Sequence, residues 1–439
     1  QSGNNNSKLV HCTIANNVST SYGGGIKRNG GQMEFINSII WHNSAQNGFS
    51  SYQGGSGIFI SSNVEGYSET LNTDPLFVDN YNGNYRLSNY SPSIGSGQAE
   101  ESLLLDLDGN VRPQPDGSNP DMGAYENPLG ERLTGATYFI ATTGSDSSNG
   151  QESTPYKTIQ HGINAAWNGD TVLIAPGVYE ENIDIIDKNI TLGSYFITTQ
   201  DTNYIAQTVI SGGLDINGLD STSFIGGFSI KDDNNGGFFI DNSDGLSISH
   251  MHIERTKGLH VLSSNVTAND LTFHDNYNNA NNRGGAISIL GSDVYLSQVV
   301  IDSNLSYYNS GGIYALGSFV QMDSVSITRN VLDVNTGGSG GIYFGSSGTH
   351  LLEVSNSQIK HNIGYDGGGI KIYDAMLNLT NVQIDSNLAH SGGGILSTYG
   401  NINITESTIS GNHASEVQGG GIYEQYGKLS IDYSIIQHN

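Results

Sequence analysis

The chain has one cysteine, Cys12, and 8 prolines among its 439 residues. A single thiol excludes a framework of disulfide bonds and any metal site built from several cysteines. Cys12 lies five residues before Asn17, at a position that is apolar in many parts of the sequence, so we interpret it as a small core residue. The chain also lacks a run of about 18 apolar residues, which a membrane-spanning helix requires.

Positive charge is scarce as well. There are 16 Lys and Arg residues against 42 Asp and Glu residues, which gives a formal net charge of −26. Such a surface repels polyanions, so we expect neither nucleic acid nor an anionic membrane as a partner. Divalent cations are compatible with this charge, although the solubility of a long β-surface explains it equally well.

A repeat of the form Gly-Gly-Gly-Ile … Asn dominates the sequence and is clearest at Gly367–Asn387. Counted back from Asn387, apolar residues fall at three, five, eight and ten positions, and this register recurs. The repeated asparagines are Asn276, Asn304, Asn330, Asn362, Asn387 and Asn412, preceded by Asp233 and Thr256 at the same position. A second series, directly after the glycines, contains Ile287, Ile313, Ile342, Ile370, Ile395 and Ile422.

These units predict a stack of β-coils. Their length varies from 20 residues (Thr256 to Asn276) to 32 residues (Asn330 to Asn362), and each holds three short runs with an apolar period of two. One unit cannot bury its own apolar face, whereas stacked units can. Asn suits the turn because it tolerates the left-handed conformation and its amide can bond along the stack. The predicted fold is an all-β, right-handed parallel β-helix.

The register is interrupted once, and this predicts two modules in tandem. A short capping helix, with Ile159, Ile163 and Ala166 on one face, is expected at the start of the second module. The predicted segments are the last coils of a first β-helix (1–100), a turn-rich end cap (101–126), a linker (127–135), the N-terminal cap of a second β-helix (136–182) and its coils (183–439).

The Gly-Gly-Gly-Ile … Asn units resemble those of the pectate-lyase-like superfamily of right-handed parallel β-helix proteins, including polymorphic-outer-membrane-type repeats. Residues 138–182 resemble the N-terminal cap of large secreted bacterial β-helix proteins, and D-P-L-F-V-D (74–79) and D-L-D-G-N-V-R-P (106–113) resemble the C-terminal end of the same class. This resemblance implies a secreted or cell-surface bacterial protein in which one β-helix ends before the next begins.

Enzymes of this superfamily use an Arg or Lys base with a carboxylate-bound Ca²⁺, or two or three clustered Asp residues. The sequence register reveals no such set, so no catalytic residue is predicted. Asp106, Asp108 and Asn110 have the beginning of a calcium-loop spacing, but Gly117 stands where an EF-hand has Glu, and an Asx turn is the alternative. Calcium is therefore the one cofactor that the sequence suggests.

Two tyrosines, Tyr314 and Tyr343, follow the repeated isoleucines of adjacent coils. We expect them to point outward, where they could stack against a sugar or simply suit a strand surface.

The leading hypothesis is an exported, non-catalytic segment of a longer protein that serves as a rigid spacer, adhesin or filament-forming subunit. Its partners would be neighbouring β-helix modules or copies of itself, arranged head to tail. The alternatives are a polysaccharide lyase, hydrolase or epimerase acting on acidic glycans, and a carbohydrate-binding module.

Overall fold

The computed structural model describes residues 7–80, 82–99, 104–232, 236–280, 283–333, 337–346, 350–416 and 418–439. It is an all-β parallel solenoid of about 16 turns with about 4 % helix. This confirms the predicted fold class. None of the described helices is long and apolar enough to span a bilayer.

The chain divides into two compact units. The first comprises Gln1–Tyr138, Ser145–Tyr156 and Asn164–Ala166, and the second comprises Phe139–Gly144, Lys157–Ile163 and Trp167–Asn439. The predicted linker at 127–135 falls wholly in the first unit, whereas the predicted cap at 136–182 is shared between both. Residues 101–103 of the predicted end cap, and Asp233, lie outside the described residues.

The first unit contains short parallel strands and one antiparallel pair, formed by Phe77–Asp79 and Asn84–Leu87. Its strands are β1 (Ser7–Val10), β2 (Thr13–Ala15), β3 (Val18–Ser19), β4 (Ile26–Lys27), β5 (Gln32–Ile36), β6 (Ile39–Trp41), β7 (Ser44–Ala45), β8 (Tyr52–Gln53), β9 (Ser56–Ile60), β10 (Asn63–Val64), β11 (Phe77–Asp79) and β12 (Asn84–Leu87). Its core consists of two clusters, one around Phe35 and Ile40 and the other around Ile39 and Trp41.

Two elements, β13 (Thr137–Ile140) and α1 (Ile159–Ala165), are divided between the units, and α1 forms where the short helix is predicted. The second unit continues with β14 (Thr171–Ile174), β15 (Gly177–Tyr179), β16 (Ile183–Ile186), β17 (Thr191–Ser194), α2 (Phe196–Thr199), α3 (Asn203–Gln207), β18 (Thr208–Ile210), β19 (Leu214–Asn217), β20 (Phe224–Gly226), β21 (Ser229–Lys231), β22 (Phe238–Asp241), β23 (Asp244–Glu254), β24 (Leu259–Leu262), β25 (Asn265–His274), β26 (Tyr277–Asn278), β27 (Ile287–Leu290), β28 (Asp293–Ser297), β29 (Val300–Asp302), β30 (Leu305–Ser306), β31 (Ile313–Leu316), β32 (Phe319–Asp323), β33 (Ser326–Thr328) and β34 (Val331–Leu332). It ends with β35 (Ile342–Gly345), β36 (Leu351–Ser355), β37 (Gln358–Lys360), β38 (Ile370–Tyr373), β39 (Met376–Thr380), β40 (Gln383–Asp385), β41 (Leu388–Ala389), β42 (Ile395–Thr398), β43 (Asn401–Thr405), β44 (Thr408–Ser410), β45 (His413–Ala414), β46 (Ile422–Gln425), β47 (Lys428–Asp432) and β48 (Ile435–Gln437).

One strand from each coil of the second unit joins a ten-stranded parallel sheet, in the order β16-β19-β22-β24-β27-β31-β35-β38-β42-β46. The repeated isoleucines pair in register within this sheet: Ile313 with Ile342, Ile342 with Ile370, Ile370 with Ile395, and Ile395 with Ile422. The first four are fully buried, and Ile422 is half-buried. The remaining long strands of the unit form a second large sheet.

The repeated asparagines form a continuous hydrogen-bonded series, which we call the asparagine ladder (Asn276, Asn304, Asn330, Asn362, Asn387 and Asn412). The side-chain oxygen of Asn304 accepts bonds from the backbone nitrogen (3.0 Å) and the side-chain nitrogen (2.9 Å) of Asn276, and the pattern repeats along the series. All six side chains are buried. The ladder therefore satisfies polar groups that no water reaches.

The structure corrects the reason given for asparagine at this turn. The left-handed residue is the one before the ladder position, as in Ser303 (φ 58°), Arg329 (φ 55°) and Ser386 (φ 55°). The ladder asparagines themselves do not have positive φ. Asparagine is thus explained by its side-chain hydrogen bonds and not by its tolerance of the left-handed region.

Candidate functional site

The outward face of the ten-stranded sheet carries the candidate site. Successive residues of a strand point to opposite faces of the sheet. The residue directly after the first buried apolar residue of each strand therefore points away from the core. In-register pairing aligns these residues in one line, the outer column. The outer column consists of Asp184, Asp215, Phe239, His260, Ser288, Tyr314, Tyr343, Lys371, Leu396 and Tyr423.

A groove of about 500 Å³ lies over the first five coils of this sheet. Its walls combine the outer column with the flanking column two residues further along each strand, and with Arg283. The flanking residues that line it are Ile186, Asn217, Asp241, Leu262 and Leu290. At a strand spacing of about 4.8 Å, five coils span about 19 Å, the scale of an extended oligomeric ligand.

One end of the groove is acidic. Asp184 and Asp215 are direct cross-strand neighbours, and Asp241 stands in the flanking column. Burial, and then the charge of Asp184, raise the pKa of the Asp215 carboxyl above its usual value. Within the described part of the chain, none of these three carboxylates forms an ion pair with Lys, Arg or His.

The other end contains an aromatic pair and a guanidinium group. The rings of Phe239 and His260 have centroids 4.7 Å apart with planes tilted by 34°, and the Arg283 guanidinium lies 5.1 Å from the centre of the Phe239 ring. Leu262, on the strand of His260, adds apolar surface at this end, since it is 44 % exposed, while Ile186, 64 % exposed, does so at the acidic end.

His260 is the most unusual side chain of the groove, because it is only 6 % exposed. Neither ring nitrogen has a hydrogen-bond partner of normal geometry among the described residues, although the backbone of Lys257 faces the ring. Burial, and then the charge of Arg283, lower the pKa of His260 to about 3. The imidazole is therefore neutral at pH 7, with one N–H donor and one acceptor nitrogen. The Nη1 atom of Arg283 is likewise buried and without a partner in the described chain.

The predicted tyrosines lie in the same column but outside the groove. The rings of Tyr314 and Tyr343 are 5.2 Å apart, and the Lys371 ammonium lies 5.4 Å from the Tyr343 ring. Tyr314 is only 4 % exposed, so most of its ring is covered, and stacking of a sugar against it remains a prediction. The ring of Tyr343 packs against it, and burial raises the pKa of Tyr314 to about 12.

The predicted calcium residues lie in the first unit, where they form a closed turn. The Asp106 carboxylate accepts bonds from the backbone nitrogens of Asp108 (2.9 Å) and Asn110 (2.7 Å). Asp108 is paired with Arg86 at 2.6 Å. These contacts are those of an Asx turn, and the described residues contain no group of three or more His, Cys, Asp or Glu able to hold a metal ion. Calcium at this turn remains a prediction.

Sequence reasoning missed the groove, although the sequence contained a usable signal. The repeated isoleucines are recognisable in the sequence from Ile287 onward. In the structure, the same buried position continues back through Ile183, Leu214, Phe238 and Leu259. The residues directly after these four are Asp184, Asp215, Phe239 and His260.

Among known families, one matches a short part of the chain. A family described as a protein of unknown function, DUF1565, matches residues 142–185. No curated protein matches the chain.

Solved structures with a similar architecture include a rhamnogalacturonan lyase, at 14 % identity and a TM-score of 0.42, over 67 % of this chain and 87 % of that one. The A-module of the Azotobacter vinelandii mannuronan C-5 epimerase AlgE4 matches at 16 % identity and a TM-score of 0.31, over 64 % of this chain and 92 % of that module. Pectate lyase Pel9A matches at 14 % identity and a TM-score of 0.28, over 67 % of this chain and 80 % of that one. Similarity at this level carries no argument about activity.

Proposed function

We propose that this chain recognises carbohydrate, and that its binding site is the groove lined by residues between Asp184 and Leu290. The observation that most supports this is the placement of a carboxylate pair directly beside an aromatic pair in one outer column. Sugars present hydroxyl groups together with apolar C–H surface, and sites that bind them combine polar and apolar groups in the same way.

The unpaired polar atoms of the groove support the same proposal. A buried polar group without a partner costs about 1–3 kcal/mol. The ring nitrogens of His260 and Nη1 of Arg283 are covered in the free chain, so a ligand hydroxyl bonds to them only if side chains shift on binding, and it then recovers that energy. Since a neutral imidazole both donates and accepts, His260 suits a hydroxyl group, which does the same.

The charge of the groove discriminates among glycans. Asp184, Asp215 and Asp241 outnumber Arg283, so the groove repels uronate polymers relative to neutral ones. Of the hypotheses based on the sequence, the carbohydrate-binding one fits this groove better than action on acidic glycans. The structural and head-to-tail roles, and an extracellular location, remain predictions that are compatible with a sugar site on a rigid scaffold.

The test is calorimetric titration of the full chain with neutral, acidic and amino-sugar oligosaccharides. Leu262→Arg should abolish binding, because Leu262 is 44 % exposed and the longer side chain fills the groove. Leu388→Arg is the matched control: Leu388 is 39 % exposed and lies outside the groove. The proposal would be contradicted if the unsubstituted chain bound none of the oligosaccharides, or if the two variants bound them equally well.

A second candidate function, glycoside hydrolysis, is favoured by the cross-strand pairing of two carboxylates, Asp184 and Asp215. Retaining glycosidases use two carboxyl groups on either side of the scissile bond. The raised pKa of Asp215 suits an acid, with Asp184 as its partner. New reducing ends that vanish in Asp215→Asn would support hydrolysis, whereas binding without turnover would leave recognition alone.

A further inference from the structure

The acidic end of the groove has an unusual electrostatic arrangement. Asp184 and Asp215 stand side by side on adjacent strands, where like charges destabilise a sheet. Asp241 lies one coil further along in the flanking column. No described cationic side chain is paired with any of the three, so their charge is available to a cationic ligand group.

A second observation indicates that this end belongs to a binding site. His260 lies two strands beyond Asp215 in the same column, lines the same groove and is 6 % exposed, and neither ring nitrogen has a hydrogen-bond partner of normal geometry among the described residues, although the Lys257 backbone faces the ring. The groove thus presents hydrogen-bond acceptors with unbalanced negative charge at one end. At the other end it presents a neutral imidazole and the Arg283 guanidinium.

This polarity selects among sugars. A protonated amine is attracted to the aspartate pair and makes charge-assisted hydrogen bonds with it. The same amine is repelled by Arg283, where an uncharged acceptor such as an amide carbonyl fits instead. The two ends are separated by about 10–15 Å at the usual strand spacing, so they contact different sugars of one oligomer.

We propose that the groove binds an amino-sugar oligosaccharide with at least one free amine, held over Asp184 and Asp215, while an uncharged sugar lies against His260 and Arg283. This inference rests on the proposed function and specifies its ligand class. It predicts that partly N-acetylated glucosamine oligomers bind more tightly than fully N-acetylated ones of the same length.

The experiment is calorimetric titration of the full chain with three oligomers of equal length: partly N-acetylated glucosamine, fully N-acetylated glucosamine and glucose. We expect the first to bind about tenfold more tightly than the other two, because it adds a charge-assisted hydrogen bond. The advantage should shrink as salt is raised and as the pH is raised to deprotonate the amine.

The variant Asp215→Asn preserves shape and removes one charge, so it should abolish the roughly tenfold advantage of the oligomer with a free amine over the fully N-acetylated one. Asp293→Asn is the matched control, since Asp293 is an exposed strand residue of the other large sheet. Thermal unfolding of each variant checks that the fold is retained.

Three outcomes would overturn the inference. Equal affinity for all three oligomers would refute the preference for amines and leave carbohydrate recognition intact. Displacement of the oligomer by Ca²⁺ in a manner that requires Asp215 would assign the pair to a cation instead. Failure of all three oligomers to bind would refute the proposed function itself.

Discussion

The side-chain oxygen of Asn387 lies 2.9 Å from the backbone nitrogen of Asn362 and 3.0 Å from its side-chain nitrogen, one coil earlier. Both residues are at most 1 % exposed. One carbonyl oxygen therefore satisfies two donors that no water can reach, and this contact joins coils whose lengths differ.

Replacement of Asn387 by Ala should destabilise the second unit strongly. The change removes the acceptor for the backbone N–H of Asn362 and for one N–H of its side chain, whose nitrogen still donates to the Ile327 backbone oxygen at 2.9 Å. Each buried polar group that loses its partner costs about 1–3 kcal/mol. Chemical unfolding measures the loss. Asn403→Ala is the matched control, because Asn403 is an exposed strand residue whose side-chain nitrogen donates to the Asn378 side chain at 2.9 Å. Equal effects of the two substitutions would show that the ladder contributes little.

The residue before each asparagine of the ladder has a left-handed backbone conformation, and this predicts how substitutions at that residue change stability. Ser386 has φ 55°, a conformation that costs a residue with a Cβ about 1–2 kcal/mol. Ser386→Gly should therefore be neutral or stabilising, and Ser386→Val should lower the melting temperature. Ser430→Val, at an exposed strand position, should have little effect. A harmless Ser386→Val would contradict the assigned backbone conformation.

The buried His260 predicts how the stability of the second unit depends on pH. Its folded-state pKa of about 3 lies below the unfolded value of 6.5, so between these values only the unfolded chain takes up the proton. The contribution to stability is fully present above pH 6.5 and is lost as the pH falls towards 3. His260→Phe keeps a ring beside Phe239 and should reduce the difference in unfolding free energy between pH 7 and pH 4. An unchanged difference would show that His260 does not cause it.

The fold could be predicted from the sequence because each coil must match its neighbours at the same positions. Ile370 and Asn387 each repeat because their neighbours above and below must match them in shape and hydrogen bonding. The short helices α2 and α3 interrupt this pattern and were not predicted, since they lie in an insertion that the stacking does not constrain.

The candidate site could not be predicted in the same way. Stacking fixes the direction of an outward side chain but not its identity, so the outer column changes from Asp215 to Phe239 to His260 without a repeat. Burial on that face depends on the size of neighbouring side chains, and for this reason Tyr314 is covered by Tyr343 although its register points outward.

The most direct test of the account is a crystal structure of the full chain soaked with a partly N-acetylated glucosamine oligomer. We predict sugar density in the groove, with an amine within hydrogen-bonding distance of Asp184 or Asp215 and an uncharged sugar beside His260. An empty groove at saturating ligand, or sugar bound only at another surface, would contradict the assignment of this groove as the functional site.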